Sequence, residues 1–346
     1  VSLGQDSVQP TVVVTTAGSP STPETILRLR RQGYRVIATD IEANAPGLYL
    51  ADRSHLVPPG DSDAFVADLR DICAREGASA VIPLVDEELA GVSLLEREGI
   101  TVLLPRLPFI TTCLDKYVLM RRLAAAGIGV PSTRLASEPA DGLAFPLIVK
   151  PRSGRGSRGV SVCFSRLALD RLLATTSYPV SDLIVQERIR GPEFTVSVVV
   201  WRDGEVQAVV PKEVILKQGV TRFAVTRRNE EVERTCRAVQ SALRADGPFN
   251  VQLCLDEAGT PRVFEINPRF SSTASLTTAA GVDEIGGLLG QALGRGPRLV
   301  DEWREGLVMV RHWTDEFTSE KEFDAHDMRP GPGALPALGS AVPVAG

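Results

Sequence analysis

Along the first hundred residues, short apolar runs trade places with stretches in which apolar residues recur every three or four positions. TVVVTT (11–16), RVIATD (35–40), SAVIPLV (79–85) and TVLLP (101–105) read as buried strands. ETILRLRRQG (24–33) predicts a helix closed by Gly33, and DAFVADLRDICAREG (63–77) one that gathers Phe65, Val66, Leu69, Ile72 and Cys73 on a single face. The segment around ELAGVSLLEREG (88–99) predicts a third helix. Strands alternating with helices of this length imply a parallel sheet with helices on its faces. The first strand-to-helix turn, TTAGSPSTPET, is small and polar but lacks the G-x-G-x-x-G spacing, so a dinucleotide site has weak support.

Beyond residue 113 the pattern changes. DKYVLMRRLAAAG predicts a helix ended by Gly127, with Pro131 opening an extended stretch. An apolar strand then ends at Lys150 and runs into SGRGSRG, in which Gly154, Gly156 and Gly159 alternate with Ser153, Arg155, Ser157 and Arg158. Glycines let successive N–H groups turn into one concavity and the arginines add positive charge, which suits a polyphosphate. The alternative is a flexible turn. No G-K-[ST] occurs, so this is not a Walker loop. DLIVQERIRGPEFTVSVVVWRDGEVQAVV predicts a strand, a short link and an antiparallel pair turned at Asp203-Gly204, with Glu187 and Glu193 flanking the link. FNVQLCLDEAGTPRVFEINPRF predicts a second hairpin that brings Gln252 near Glu265. Because side chains alternate along a strand, Glu265, Asn267 and Arg269 are expected on one face, with Phe264 and Ile266 packed behind. A carboxylate and two amide oxygens suit magnesium, which prefers oxygen ligands and takes few protein carboxylates when phosphates complete its shell. GLVMVRHWTDEF predicts a last strand, and RPGPGALPALGSAVPVAG a flexible tail.

Composition narrows the function classes. Net charge of -5 and a pI near 5.5 argue against sequence-independent nucleic-acid binding. Five scattered cysteines without C-x-x-C spacing suggest neither a disulfide framework nor a zinc site, and free thiols in a reducing cytoplasm are the expectation. No apolar run is long enough to span a bilayer, so no membrane partner is expected. His55, His312 and His326 fall outside the motifs and read as structural.

Taken together, Lys150 before its loop, VQERI with Glu193 beyond it, and NVQ with FEINPRFSSTASL resemble the ATP-grasp superfamily, most closely its carbamoyl phosphate synthetase large-chain branch and the single-copy carboxylate-amine ligases related to it. The resemblance runs from about Leu114 to Gly294. It implies a mixed α/β and α+β architecture: a flexible start (1–10), a Rossmann-like parallel domain (11–112), a two-lobed ATP-grasp module (113–190 and 191–300), an extension (301–328) and the tail (329–346). It also implies ATP and Mg2+ (or Mn2+) as cofactors, and small carboxylate and amine substrates joined through an acyl phosphate with release of ADP. A homodimer is compatible with it.

The resemblance assigns roles residue by residue. Lys116 and Lys150 would meet phosphate, and Ser153, Gly154, Gly156, Ser157 and Gly159 would close over it. Glu187, Arg188 and Ile189 would hold adenine and Glu193 the ribose. Glu265, Asn267 and Gln252 would hold the metal, and Arg269 would grip the transferring phosphoryl group, with Lys212 and Arg222 as further substrate contacts. Three other readings stand beside this one: a carbamoyl phosphate synthetase-like enzyme phosphorylating bicarbonate or carbamate, a regulatory nucleotide-binding subunit without turnover, and a nicotinamide-dependent oxidoreductase built on the first domain.

Overall fold

The protein is seen in a computed structural model that describes residues 9–319 apart from 155, 157, 313, 316 and 318. Ser157, His326, residues 1–8 of the expected flexible start and the tail from 329 lie outside the described residues.

Three sheets follow one another along the chain. The first contains β1 (Thr11–Val14), β2 (Arg35–Asp40), β3 (Arg53–Leu56), β4 (Ala78–Ile82) and β5 (Thr101–Val102), all parallel, in the order β3-β2-β1-β4-β5. Its helices are α1 (Thr22–Arg31), α2 (Phe65–Glu76) and a short α3 (Leu89–Val92). Phe65, Leu69, Ile72 and Cys73 of α2 are buried against the sheet, and Gly77 closes that helix in the left-handed region at φ 65°. The full helix expected across ELAGVSLLEREG is instead the single turn α3 followed by a 3-10 segment, Ser93–Glu98, which Gly99 ends at φ 85°. Strand β3 was not expected, because RSHL has no apolar run and pairs on one side only.

The second sheet holds β6 (Thr133–Leu135), β7 (Leu147–Pro151), β8 (Ser161–Cys163) and β9 (Leu183–Glu187) in the order β6-β9-β7-β8. Helices α4 (Leu107–Leu114) and α5 (Lys116–Ala125) precede it, and α6 (Arg166–Thr175) packs on it. Asp115 starts α5 by accepting from the N–H groups of Tyr117 and Val118, a cap that satisfies donors the first turn would leave unpaired.

The third sheet contains β10 (Glu193–Val200), β11 (Val206–Gln218), β12 (Val220–Thr226), β13 (Phe249–Leu255), β14 (Pro261–Asn267) and β15 (Val308–Val310), ordered β14-β13-β10-β11-β12-β15. Its helices are α7 (Glu230–Leu243), α8 (Ala274–Ala280) and α9 (Glu284–Ala292). The first and third sheets share one core, in which Val12, Ile26, Val36 and Ile82 pack with Val199, Val210, Phe270 and Leu288. Arg202 reinforces that junction from the third sheet by donating to the carbonyl oxygens of Leu104 and Val102 and pairing with Glu96. No helix among the described residues is long and apolar enough to cross a membrane.

Candidate active site

Strand β14 departs from strict alternation. Gln252 faces Glu265 across the hairpin, but the next pair is Leu253 with Val263, so Phe264 is the extra residue of a bulge. Val263 and Ile266 enter the apolar core, while Phe264 and Glu265 both stay outside it. The expectation that Phe264 packs behind the polar row is therefore corrected: its ring lies 5.5 Å from the Lys150 ammonium and its carbonyl oxygen accepts from that group at 3.4 Å. Asn267 sits opposite Asn250, whose side-chain oxygen accepts from Thr195.

Two lysines from different elements meet at the bulge. Lys116, at the start of α5, comes within 3.6 Å of a Glu265 carboxylate oxygen and donates to the carbonyl of Gly154 at 2.6 Å. Lys150 is only 6% exposed, and burial pulls its pKa down to about 8 despite the opposing pull of Glu265. Gly154, Gly156 and Gly159 all adopt positive φ (118°, 65° and 69°), so the backbone of this loop requires glycine there. The loop starts at Ser153, which follows an ion pair between Arg152 and Asp115 at 2.5 Å.

The link after β9 holds the residues assigned to the nucleoside. The Glu187 carboxylate accepts from the N–H of Ala144, Arg188 is exposed with its N–H bonded to the Pro146 carbonyl, and Ile189 is half-buried. Glu193 is paired with Lys217 at 2.7 Å, and the same ammonium reaches the Gln252 amide oxygen at 3.4 Å.

Two assignments move. Lys212 lies in the same cross-strand row as Thr195, Gln252 and Glu265, yet it does not reach the cleft. It is fully buried under α8, where its ammonium donates to Ser197 Oγ at 2.6 Å and to Thr277 Oγ1 at 2.7 Å, with Glu284 beyond Ser197. Lys217, farther along β11 and past the covering helix, is the lysine of that strand that lines the cleft. Arg222 is absent from the cleft wall; its strand borders β15 and its charge faces Arg311.

The first sheet completes the site in a way the sequence did not reveal. The cleft encloses about 710 Å³ and runs from Gly156, Arg158, Lys217 and Glu265 to the C-terminal ends of β1, β2 and β4. Open parallel sheets place ligands at that edge. Arg269 donates from Nε to Asp86, just beyond β4, at 2.6 Å, and from a terminal nitrogen to Asn267 Oδ1 at 3.2 Å. Both partners of the ion pair are nearly buried, at 13% and 9% side-chain exposure. Next to them Glu88 is wholly enclosed; it accepts from Thr15 Oγ1 and the N–H groups of Leu84 and Val85, and burial raises its pKa to about 7. The one sequence signal was the acidic run VDEE placed directly after a predicted parallel strand.

No cluster of three or more His, Cys, Asp or Glu capable of holding a metal occurs among the described residues. The donors on β13 and β14 are one carboxylate and amide oxygens, which fits magnesium shared with phosphate groups and does not fit an all-protein cage.

Residues 179–315 match the family described as ATP-grasp in the biosynthetic pathway with Ter operon, and residues 12–102 match the PylC-like N-terminal domain. The ATP-grasp match thus falls on the second half of the chain. A formate-dependent phosphoribosylglycinamide formyltransferase of Synechococcus sp. (strain RCC307) is 29% identical over 276 residues, which cover 73% of this chain and 68% of that protein. The enzyme of the same name from Thioalkalivibrio sulfidiphilus is 30% identical over 161 residues, 43% of this chain and only 38% of the relative. Among solved structures, an ATP-analogue complex of biotin carboxylase from Campylobacter jejuni superposes with a TM-score of 0.71 at 17% identity, over 86% of this chain and 74% of that one. At that identity the shared property is the ATP-grasp fold.

Proposed function

We propose that this protein is an ATP- and magnesium-dependent ligase that activates a carboxylate as an acyl phosphate and joins it to an amine, forming ADP and phosphate. The observation that carries the reading is proximity on β14: Lys116 reaches Glu265 and Lys150 reaches the Phe264 carbonyl, while Glu265, Asn267 and Arg269 line one cleft with Gly156 of the glycine loop. The relatives' name pairs formate, a carboxylate, with an amine-bearing acceptor, which supports the same reaction class. The reading takes 11–112 as the preceding domain and 113–300 as the catalytic module.

ATP enters with its phosphates toward Lys116, Lys150 and the 153–159 loop, and its nucleoside toward Glu187, Arg188, Ile189 and Glu193. Magnesium, held by Glu265 and Asn267 with Gln252 beside them, supplies charge neutralisation on the phosphate oxygens when bound. The carboxylate attacks the γ-phosphorus, the bond to the β-phosphate oxygen breaks, and ADP departs with that electron pair. Two anions meet in this step, so the ammonium groups and the guanidinium of Arg269 must offset the charge that gathers on the transferring oxygens. The amine, having given up its ammonium proton to solvent, then adds through its lone pair to the acyl carbon, releases a further proton to solvent, and expels phosphate to leave an amide. Lys217 enters the reading as a cleft residue in place of Lys212.

A cytoplasmic homodimer is part of the proposal. The cysteines that the structure describes are all free thiols, and sedimentation of the intact chain would reveal the assembly. The reaction itself is tested by coupled ADP release over a matrix of carboxylates and amines, with hydroxylamine added to capture the acyl phosphate. Magnesium-dependent hydroxamate formation is expected; ATP turnover that no carboxylate stimulates would overturn the ligase reading.

A further inference from the structure

The two ends of the cleft differ in charge. Toward the glycine loop and β14 cations and carboxylates are mixed, Arg158, Lys217 and Arg269 with Glu193 and Glu265. The wall contributed by the first sheet has five carboxylates, those of Asp40, Glu42, Asp61, Glu87 and Glu88, and not one lysine, arginine or histidine. Resting on the ligase reading, we propose that this end of the cleft receives the acceptor amine as a cation and excludes acceptors that carry a phosphate.

The turn after β1 is where a parallel-sheet domain would normally hold a phosphate, at the N-terminus of α1. Here much of that capacity is used internally. The N–H of Gly18 donates to Asp40 Oδ2 at 2.7 Å, that of Ala17 to the Thr39 carbonyl, that of Ser19 to the Thr16 carbonyl and that of Thr22 to the Ser19 carbonyl. Pro20 and Pro23 have no N–H to offer. The Asp40 carboxylate thus stands in the place of a bound anion, and it repels a second one. Glu42 and Asp61 are exposed at the cleft rim and form no ion pair among the described residues.

A second observation points to a ligand. Thr39 is fully buried and lines the same wall, yet its hydroxyl has no hydrogen-bond partner among the described residues. A buried hydroxyl without a partner is costly, and an ammonium or amide N–H from a ligand would satisfy its oxygen. A primary amine is protonated at neutral pH, so carboxylates at this end would concentrate it where Arg269, held by Asp86, marks the boundary with the phosphate end. The named substrate of the phosphoribosylglycinamide relatives carries a phosphate and is therefore expected to be a poor acceptor here.

The test is calorimetry on the intact chain with a non-hydrolysable ATP analogue and magnesium, using L-lysinamide and O-phosphoethanolamine as probes. Lysinamide is expected to bind at least about tenfold more tightly, a difference of roughly 1.4 kcal/mol. Glu42→Lys with Asp61→Lys should erase that preference while changing affinity for the analogue by less than about twofold. Equal or tighter binding of O-phosphoethanolamine, absence of saturable lysinamide binding, or an unaltered preference in a folded variant would each overturn the proposal. Failure of the analogue itself to bind would instead count against the ligase reading, and the amine preference would still be scored in titrations without nucleotide.

Discussion

A lysine ammonium enclosed as Lys150 is loses most of its hydration, which is why its pKa falls to about 8 from the usual lysine range. In the unfolded chain the same group keeps its proton to higher pH. From about pH 8 upward to the unfolded value the folded form has therefore released a proton that the unfolded form retains, and stability rises with pH through that window; below it the burial penalty is fully present. A bound triphosphate reverses the bias and draws the proton back. ATP affinity should accordingly weaken by about fivefold between about pH 8 and about pH 9, with proton uptake visible when calorimetry is repeated in buffers of different ionisation enthalpy. Arg269 admits a different test. Its planar fork holds Asp86 and Asn267 at once, a geometry lysine cannot reproduce. Arg269→Lys should lower kcat much more than it raises the Kd for ATP. Asp86→Asn removes the counter-charge but keeps an acceptor oxygen, and it should alter kcat with the fold preserved. Glu265→Gln should abolish magnesium-dependent ADP release, since it deletes the carboxylate of the β14 polar row; turnover at the wild-type rate would remove the metal assignment.

At the scale of elements, the 153–159 loop and the link around Gly191 each admit a test. The loop should gain protection from protease when ATP and magnesium are added, because lids over phosphates close on binding; equal cleavage with and without nucleotide would count against it. Gly191 has φ 145°, and a Cβ there would overlap the Leu255 carbonyl oxygen. Gly191→Ala should destabilise the protein by about 1–3 kcal/mol in denaturant titrations and disturb the nucleoside link. Strands β1, β2, β4 and β5 could be read from sequence because each lies in an apolar run between turns, which β3 lacks. Local pattern also placed Gln252 opposite Glu265, since a short hairpin leaves little freedom of register. It failed wherever a distant segment decides. Lys212 occupies the right row but lies beneath Thr277, 65 residues away, while Asp86 meets Arg269 across 183 residues. Phe264 was misplaced because one inserted residue resets the period of two, and no turn signal announces it.

For the molecule as a whole, the first and third sheets are one folding unit despite their separation in sequence, because they divide a single apolar core between them. Unfolding should be monitored both by near-ultraviolet signals and by protection of the first sheet's amides, and the two transitions should coincide. Arg202→Ala should shift both together by roughly 1–3 kcal/mol, since it removes the donor to the Leu104 carbonyl and one of the two donors to that of Val102. The second sheet is organised otherwise. Its cluster of Leu147, Val149, Cys163, Leu169, Leu183 and Val185 belongs to that sheet alone. For anyone building chimaeras among these ligases, a crossover near residue 112 would cut through shared hydrophobic packing and yield insoluble hybrids. The exchangeable cassette would instead be the small lobe from about β6 through the link after β9, which keeps its own interior and would carry the glycine loop and the residues assigned to the nucleoside into a host that keeps its own acceptor chemistry.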